Sequence, residues 1–237
     1  MTLRQALATP DGKRRYTRRV FATIADRYDL ITTLLSFGLD REWKRRLIDL
    51  AGLTARDRVL DLASGTGDLA GLAVPHVEAV VGLDVTHRML VLARRKAVSR
   101  RVAFVTGDMM ALPFAARAFS VITTGYGLRN VPDLPGAIAE ARRVLGPGGR
   151  LLSLDFNRPA HPLVRAVYLA YLHVVGGALG WVLHRDPDTY RYIPETIRRY
   201  PGAEGVAALL RAGGFAAVDV IPVLGGLMTI HVARVAP

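Results

Sequence analysis

The chain reads as an α/β protein on a mostly parallel, doubly wound sheet, and three observations predict this. From residue 58 onward, short apolar runs alternate with stretches of helical periodicity, the pattern of strand–helix–strand units. Three successive runs finish at or near an acid, as strands whose carboxyl ends meet one crevice do. The last two runs are separated only by Leu224-Gly225-Gly226, too few residues for a parallel crossover, so the sheet must close in an antiparallel hairpin.

The elements follow in order. Phe21, Ile24, Ala25 and Tyr28, then Leu34, Leu35, Trp43, Leu47 and Ile48, recur at helical spacing and predict N-terminal helices over 16–50 packed on the sheet. Seven strands are expected at 58–63, 79–84, 102–106, 119–125, 149–156, 215–223 and 227–235, with helices near 68–75, 87–98, 134–146 and 204–213. Pro147-Gly148-Gly149 is expected to stop the helix at 134–146 and launch the next strand. Residues 163–183 are apolar apart from Arg165, His173 and glycines, and long enough to span a bilayer. Gly176, Gly177 and Gly180 weaken this stretch as a helix and its flanks look soluble, so it reads as a substrate-covering helical insert within 159–200.

At 237 residues the chain is one domain: a helical cap (16–50), a core (58–156), the insert, and a C-terminal helix and hairpin (204–237). Hydrophobic residues make up 51% and charged residues 22%, which excludes a disordered chain. With no cysteine, disulfides and thiolate metal sites are excluded, and no metal is expected. The N-terminus lacks the apolar core of a cleaved export signal, so a cytoplasmic protein is expected. Lys and Arg total 32 against 20 acids, and the +12 surface, with clusters at 13–19, 41–46, 94–101, 142–150 and 191–199, attracts anions. An anionic membrane leaflet and nucleic acid both supply such a field. Against nucleic acid, no binding module is recognisable and the aromatics are not interleaved with the basic clusters.

The chemistry concentrates in Val59-Leu60-Asp61-Leu62-Ala63-Ser64-Gly65-Thr66-Gly67-Asp68, a strand breaking into a glycine turn that can open a helix. Alone, the turn fits a dinucleotide fold, or a plain strand-to-helix turn, as well as any other nucleotide-type site. Asp84 closes the next run 19 positions after Gly65, suited to a ribose diol, and Asp108 closes the third. Asp61, Asp68 and Asp108 together would repel a pyrophosphate. S-adenosyl-L-methionine carries a sulfonium and an ammonium and no phosphate, so an acid-rich, glycine-lined pocket favours it over a nicotinamide dinucleotide.

Further segments carry a family resemblance. They are 21–30 (FATIADRYDL), 34–38 (LLSFG), Arg41 and Trp43, the glycine turn, Gly82-Leu83-Asp84, Gly107-Asp108, Gly125-Tyr126-Gly127-Leu128-Arg129-Asn130-Val131, Tyr190-Arg191-Tyr192-Ile193-Pro194-Glu195, and Gly226 with His231. Over about nine-tenths of its length the sequence resembles the ubiquinone/menaquinone biosynthesis C-methyltransferases, with the GLRN and Tyr-x-Tyr-x-Pro-Glu segments the most specific. It departs from them at Asp40, where histidine is common, at Met109, where a small residue is usual, and at Asn157, where serine is frequent.

The resemblance implies a class I methyltransferase fold with S-adenosyl-L-methionine as cofactor. Asp61 would lie behind the turn, Gly65, Thr66 and Gly67 would meet the methionyl part, Asp84 the ribose, and Asp108 with Met109 the adenine; Gly125 joins the cofactor set. Arg129 and Asn130 are the catalytic candidates, stabilising a phenolate or binding a ring oxygen, with an ion pair that shapes the loop as the alternative for Arg129. Tyr28, Tyr126 and His231 are candidate substrate contacts. The implied substrate is a polyprenylated hydroquinone, demethylmenaquinol before a benzoquinol, reached with peripheral contact to an anionic membrane; homodimerisation is left open. The alternatives are a small-molecule O- or N-methyltransferase of this fold, and a basic nucleic-acid-binding protein on a methyltransferase-like scaffold.

Overall fold

The computed structural model describes residues 3–96 and 100–237. Its core is one seven-stranded sheet: β1 (Arg58–Leu62), β2 (Ala79–Asp84), β3 (Val102–Thr106), β4 (Phe119–Gly125), β5 (Leu145–Phe156), β6 (Ala217–Val223) and β7 (Met228–Arg234), in the order β3-β2-β1-β4-β5-β7-β6. The pairs from β3 to β5 are parallel, and β7 runs antiparallel between β5 and β6, as the short Leu224-Gly225-Gly226 link requires. The order reverses between β1 and β4, so a crevice opens beyond their carboxyl ends.

Helices cover both faces because successive strand residues point to opposite sides. On one face, α4 (Asp40–Ala51) and α5 (Asp68–Ala73) pack Leu47, Ile48 and Ala70 on Val59, Val121 and Leu152. On the other, α7 (Leu134–Val144) and α10 (Gly202–Ala212) pack Ile138, Val206 and Leu210 on Leu60, Ile122 and Leu151. A third cluster forms the cap over the crevice. Here α1 (Leu3–Ala6), α2 (Pro10–Ile24) and α3 (Tyr28–Leu35) bury Tyr16, Val20 and Ile31 with Met89 of α6 (His87–Ala93) and with Tyr190 and Tyr192 of α9 (Asp188–Arg199).

Three boundaries differ from those expected of the sequence. The cap begins before residue 16: Thr9 Oγ1 accepts from Gly12 N at 3.1 Å and Pro10 opens α2, a cap signal readable in Thr9-Pro10-Asp11. Pro147-Gly148-Gly149 does not stop a helix. Leu145 already pairs with Phe119, the register then shifts, and Arg150 pairs with Val121, so the three residues form an irregularity inside β5. The helix expected at 87–98 ends at Ala93, and its last two positions lie outside the described residues.

The insert is two helices, α8 (Pro162–His184) and α9. The glycines that weaken α8 as an isolated helix are its contact face. A Cβ at Gly176 would stand 3.2 Å from the Tyr190 carbonyl oxygen, and one at Gly180 only 2.5 Å from that of Asp186.

Candidate active site

The glycine turn is held by two buried acids. Ser64 Oγ and Thr123 Oγ1 donate to Asp61 at 2.6 and 2.9 Å, and the Gly65 and Thr86 amides donate to Asp84 at 2.9 and 2.7 Å. Burial pushes the Asp61 carboxyl up to about 6 against the pull of the Ser64 and Thr123 hydroxyls. Burial also raises Asp84, opposed by the Thr86 and Gly65 amides.

Beyond the turn lies a cleft of about 730 Å³, counted out to its mouth. Gly65, Asp84, Asp108, Met109 and Gly125 stand in its walls, and Arg14, Phe21 and Tyr28 from the cap roof it. Gly65 adopts φ +55°, and a Cβ there would meet nothing nearer than Tyr28 Cε1 at 3.8 Å, so bare backbone faces the cleft. A ligand with an adenosyl part fits such walls: open backbone, a buried carboxylate and an apolar thioether side chain. Asp108 is not free, since Arg14 Nε stands 3.6 Å from it and the Met110 amide donates to it at 3.0 Å.

Two predicted cofactor residues face elsewhere. At Gly67, φ is +81° and a Cβ would meet Ala93 Cβ and Phe104 Cζ at 3.2 Å, so this glycine serves the turn and its packing and lies outside the cleft walls. Thr66 Oγ1 donates to Asp29 at 2.5 Å, a contact to the cap that turns the hydroxyl behind the turn.

An apolar cavity of about 1010 Å³, likewise counted out to its mouth, adjoins the cleft, between the cap, α8 and α9. The two share Phe21, Tyr28 and Tyr126 in their walls. Tyr28 and Tyr126 therefore stand where cleft and cavity meet, and burial raises both phenol pKa values. Arg129 borders the apolar cavity as half of a buried ion pair: Nη1 and the backbone N donate to Asp155 at 2.8 and 3.0 Å, Nε donates to Thr196 at 3.0 Å, and the guanidinium lies 4.8 Å from the Phe156 ring centroid. Asn130 borders the cleft, its Nδ2 donating to the Tyr126 carbonyl at 2.7 Å and its Oδ1 accepting from Tyr192 at 2.9 Å. His231 borders neither space: on β7, its Nε2 bonds the Ala203 carbonyl at 2.8 Å, which makes it a buried pairing residue.

Sequence reasoning missed a charged cluster behind the turn. Lys44 Nζ bridges Asp40 at 2.6 Å and Asp68 at 2.9 Å, and Lys96 bridges Asp68 at 2.6 Å and Asp29 at 2.9 Å. Asp68 is thus neutralised by two lysines and lies outside the cleft walls, so it does not add to the negative charge there. Burial alone would lower the Lys44 ammonium, but Asp68 and Asp40 outweigh it and hold the group above its usual range. The Asp40 and Lys44 pair at i and i+4 was the available signal.

Comparison with known proteins decides what this architecture is. The model of the ubiE/COQ5 methyltransferase family matches residues 10–234. The chain belongs to that family. It is 43% identical to a demethylmenaquinone methyltransferase of Thermus thermophilus over 90% of this chain and 98% of that protein. It is 40% identical to a ubiquinone/menaquinone biosynthesis C-methyltransferase of Dinoroseobacter shibae, over 93% and 91% of the two chains. Among solved structures, a SAM-dependent methyltransferase of Thermotoga maritima, described as a possible histamine N-methyltransferase, superposes with a TM-score of 0.66 at 18% identity over 92% of this chain and 99% of that one, a likeness of fold. The ubiE/COQ5 chain is therefore a methyltransferase, and its cofactor is S-adenosyl-L-methionine.

Proposed function

We infer that this enzyme methylates a ring carbon of a polyprenylated hydroquinone in menaquinone or ubiquinone biosynthesis, with demethylmenaquinol as the acceptor. The observation that carries this is the pairing of a cleft walled by Asp84, Asp108 and bare glycine backbone with an apolar cavity through three shared aromatics. A cofactor in the cleft and a prenylated quinol ring in the cavity would meet beside Tyr28 and Tyr126. A polar small-molecule acceptor has no use for an apolar space of this size.

Gly65 and Gly125 would hold the cofactor with bare backbone, Asp84 its ribose hydroxyls, and Asp108 with Met109 its adenine. Asp61 and Thr66 keep the turn in shape from behind. The sulfonium supplies an activated methyl group, so the protein's part is orientation and removal of a proton from the ring hydroxyl. Asn130 keeps one amide hydrogen beyond its bond to Tyr126 and can offer it to a ring oxygen. Arg129 adds positive charge to the cavity wall and, through Asp155, fixes the loop that carries Asn130.

The cavity mouth sits in an apolar surface. Phe37, Tyr171 and Leu224 both border the cavity and are exposed, and the outer face of α8 presents Leu163, Val167, Val174, Trp181 and Val182 to solvent, the last at 73%. α8 has a mean hydropathy of 1.6 over its most apolar window, only 28% of which is buried. With the +12 charge, this surface suits an anionic leaflet on its cytoplasmic side, from which a prenyl tail could enter the cavity. Mass spectrometry of quinones from cells lacking the gene tests the reaction: a demethylated quinone should accumulate, and an unchanged quinone pool overturns it. Co-sedimentation with anionic vesicles tests the surface, and Trp181→Asp with Val182→Asp should abolish it while cofactor affinity is kept.

A further inference from the structure

Methylation of a ring carbon releases one proton overall, and the apolar cavity offers few acceptors for it. The Arg129 guanidinium presents only donors, with Nε and Nη1 already engaged. The Asn130 amide has one acceptor, Oδ1, and Tyr192 already donates to it. Tyr126 remains. It stands in the walls of both spaces, and its Oη donates to Asp40 Oδ1 at 2.5 Å. Asp40 in turn borders a separate groove on the outer side of the turn, with Lys44, Asp68, Lys96 and the half-exposed Asp29. A hydrogen-bonded path therefore leads from the meeting point of the two spaces to that groove. The backbone supports a dedicated placement: Tyr126 holds φ +62°, a left-handed conformation unfavourable for a non-glycine residue, and is fixed there by its amide on the Leu154 carbonyl at 2.7 Å and its carbonyl on Asn130.

We propose that Tyr126 and Asp40 form a proton relay that carries the hydroquinone proton out to the groove. The inference deepens the quinol methylation reading and rests on it. The ring hydroxyl passes its proton to Tyr126 Oη as the Tyr126 proton passes to Asp40 Oδ1, and the freed O–H electron pair enriches the ring. A carbon–carbon bond then forms to the methyl group while the carbon–sulfur bond breaks, its pair remaining on sulfur. The proton on the methylated carbon then shifts to the ring oxygen, its C–H electron pair restoring the aromatic ring, so the one proton released is the one that the relay carried out. Lys44 Nζ stands 2.6 Å from Asp40, and a proton received there weakens that ion pair, which favours handing it on to groove water. Tyr126 is the residue that meets substrate; Asp40 is a positioning residue that acts through it.

Single-turnover methyl transfer to a short-chain demethylmenaquinol in detergent, with Y126F, D40N and the double variant, tests the relay. Each single change should slow the step on the order of 10²-fold, with quinol KM and calorimetric cofactor affinity within about threefold. The double variant should be no slower than Y126F, because the pair acts as one unit, and the wild-type solvent deuterium isotope effect should collapse in Y126F. A Y126F or D40N enzyme at full rate, or losses that multiply in the double variant, overturns the relay. D40N retains an acceptor oxygen for the phenol, so it gives the answer even where Y126F loses its fold. A wild type that binds cofactor and never methylates the quinol overturns the methylation reading along with the relay, whereas an active wild type beside full-rate variants overturns the relay alone.

Discussion

The cofactor cleft and the apolar cavity share three side chains but are made in opposite ways. The cleft is built at the carboxyl ends of neighbouring parallel strands, where carboxylates are satisfied close to the turn: Asp61 accepts from the Ser64 and Thr123 hydroxyls, and Asp84 from the Gly65 and Thr86 amides. The cavity is walled by side chains of the cap, α8 and α9, anchored by one buried ion pair and by tyrosines from distant segments. A backbone-built site tolerates change in its lid, whereas a side-chain-built one depends on each anchor.

Breaking the anchor should have the largest effect. The Arg129 and Asp155 side chains are 4% and 3% exposed, so Arg129→Ala leaves a buried carboxylate without its partner. A loss of about 3–5 kcal/mol in denaturant unfolding is expected. Read from sequence alone, a catalytic Arg129 would lose only turnover on change to Ala; wild-type stability in this variant would restore that view.

A proton distinguishes the cleft next. With the Asp61 carboxyl raised by burial to about 6, the folded state holds its proton more tightly than the unfolded chain does. Its contribution is therefore fully present below the unfolded value near 4 and is lost as pH rises through about 6. Relative to Asp61→Asn, the wild type should lose about 2.4 kcal/mol between pH 4 and pH 7.5, since each tenfold gain in proton affinity on folding is worth about 1.36 kcal/mol and the unfolded carboxyl is already partly ionised at pH 4. Parallel unfolding curves at the two pH values check this, and an equal pH response of both proteins contradicts it.

The smallest contrast lies within the turn. Gly65→Ala and Gly67→Ala both place a Cβ at positive φ and should each cost roughly 1 kcal/mol of stability. Gly65→Ala should also weaken cofactor binding about tenfold, since its Cβ enters the cleft, a loss of about 1.4 kcal/mol. Gly67→Ala should leave affinity unchanged because its Cβ meets Ala93 and Phe104. Calorimetric titration of the two variants separates them, and equal affinity losses would place Gly67 at the ligand.

What the sequence determined by itself was local or periodic. Strand–helix alternation, the turn at Gly65 and the short link at Leu224 each act over a few residues, and the mostly parallel sheet with its closing hairpin follows from them, whereas the order of its strands is a tertiary outcome. The β5 irregularity escaped because Pro147-Gly148-Gly149 is as good a helix stop as a bulge, and only pairing to β4 distinguishes the two. The fates of individual side chains were decided by tertiary structure. Thr66 and Gly67 sit inside the motif yet turn away, because Asp29 and Phe104 arrive from elsewhere in the chain. His231 finds the Ala203 carbonyl before any ligand, and Asp68 is taken by Lys44 and Lys96. Asp40 acquires its contact with Tyr126 across 86 residues of sequence. Hydrogen bonds and ion pairs form at about 3 Å between whichever groups the packing brings together, and sequence spacing carries no information about a partner that far along the chain.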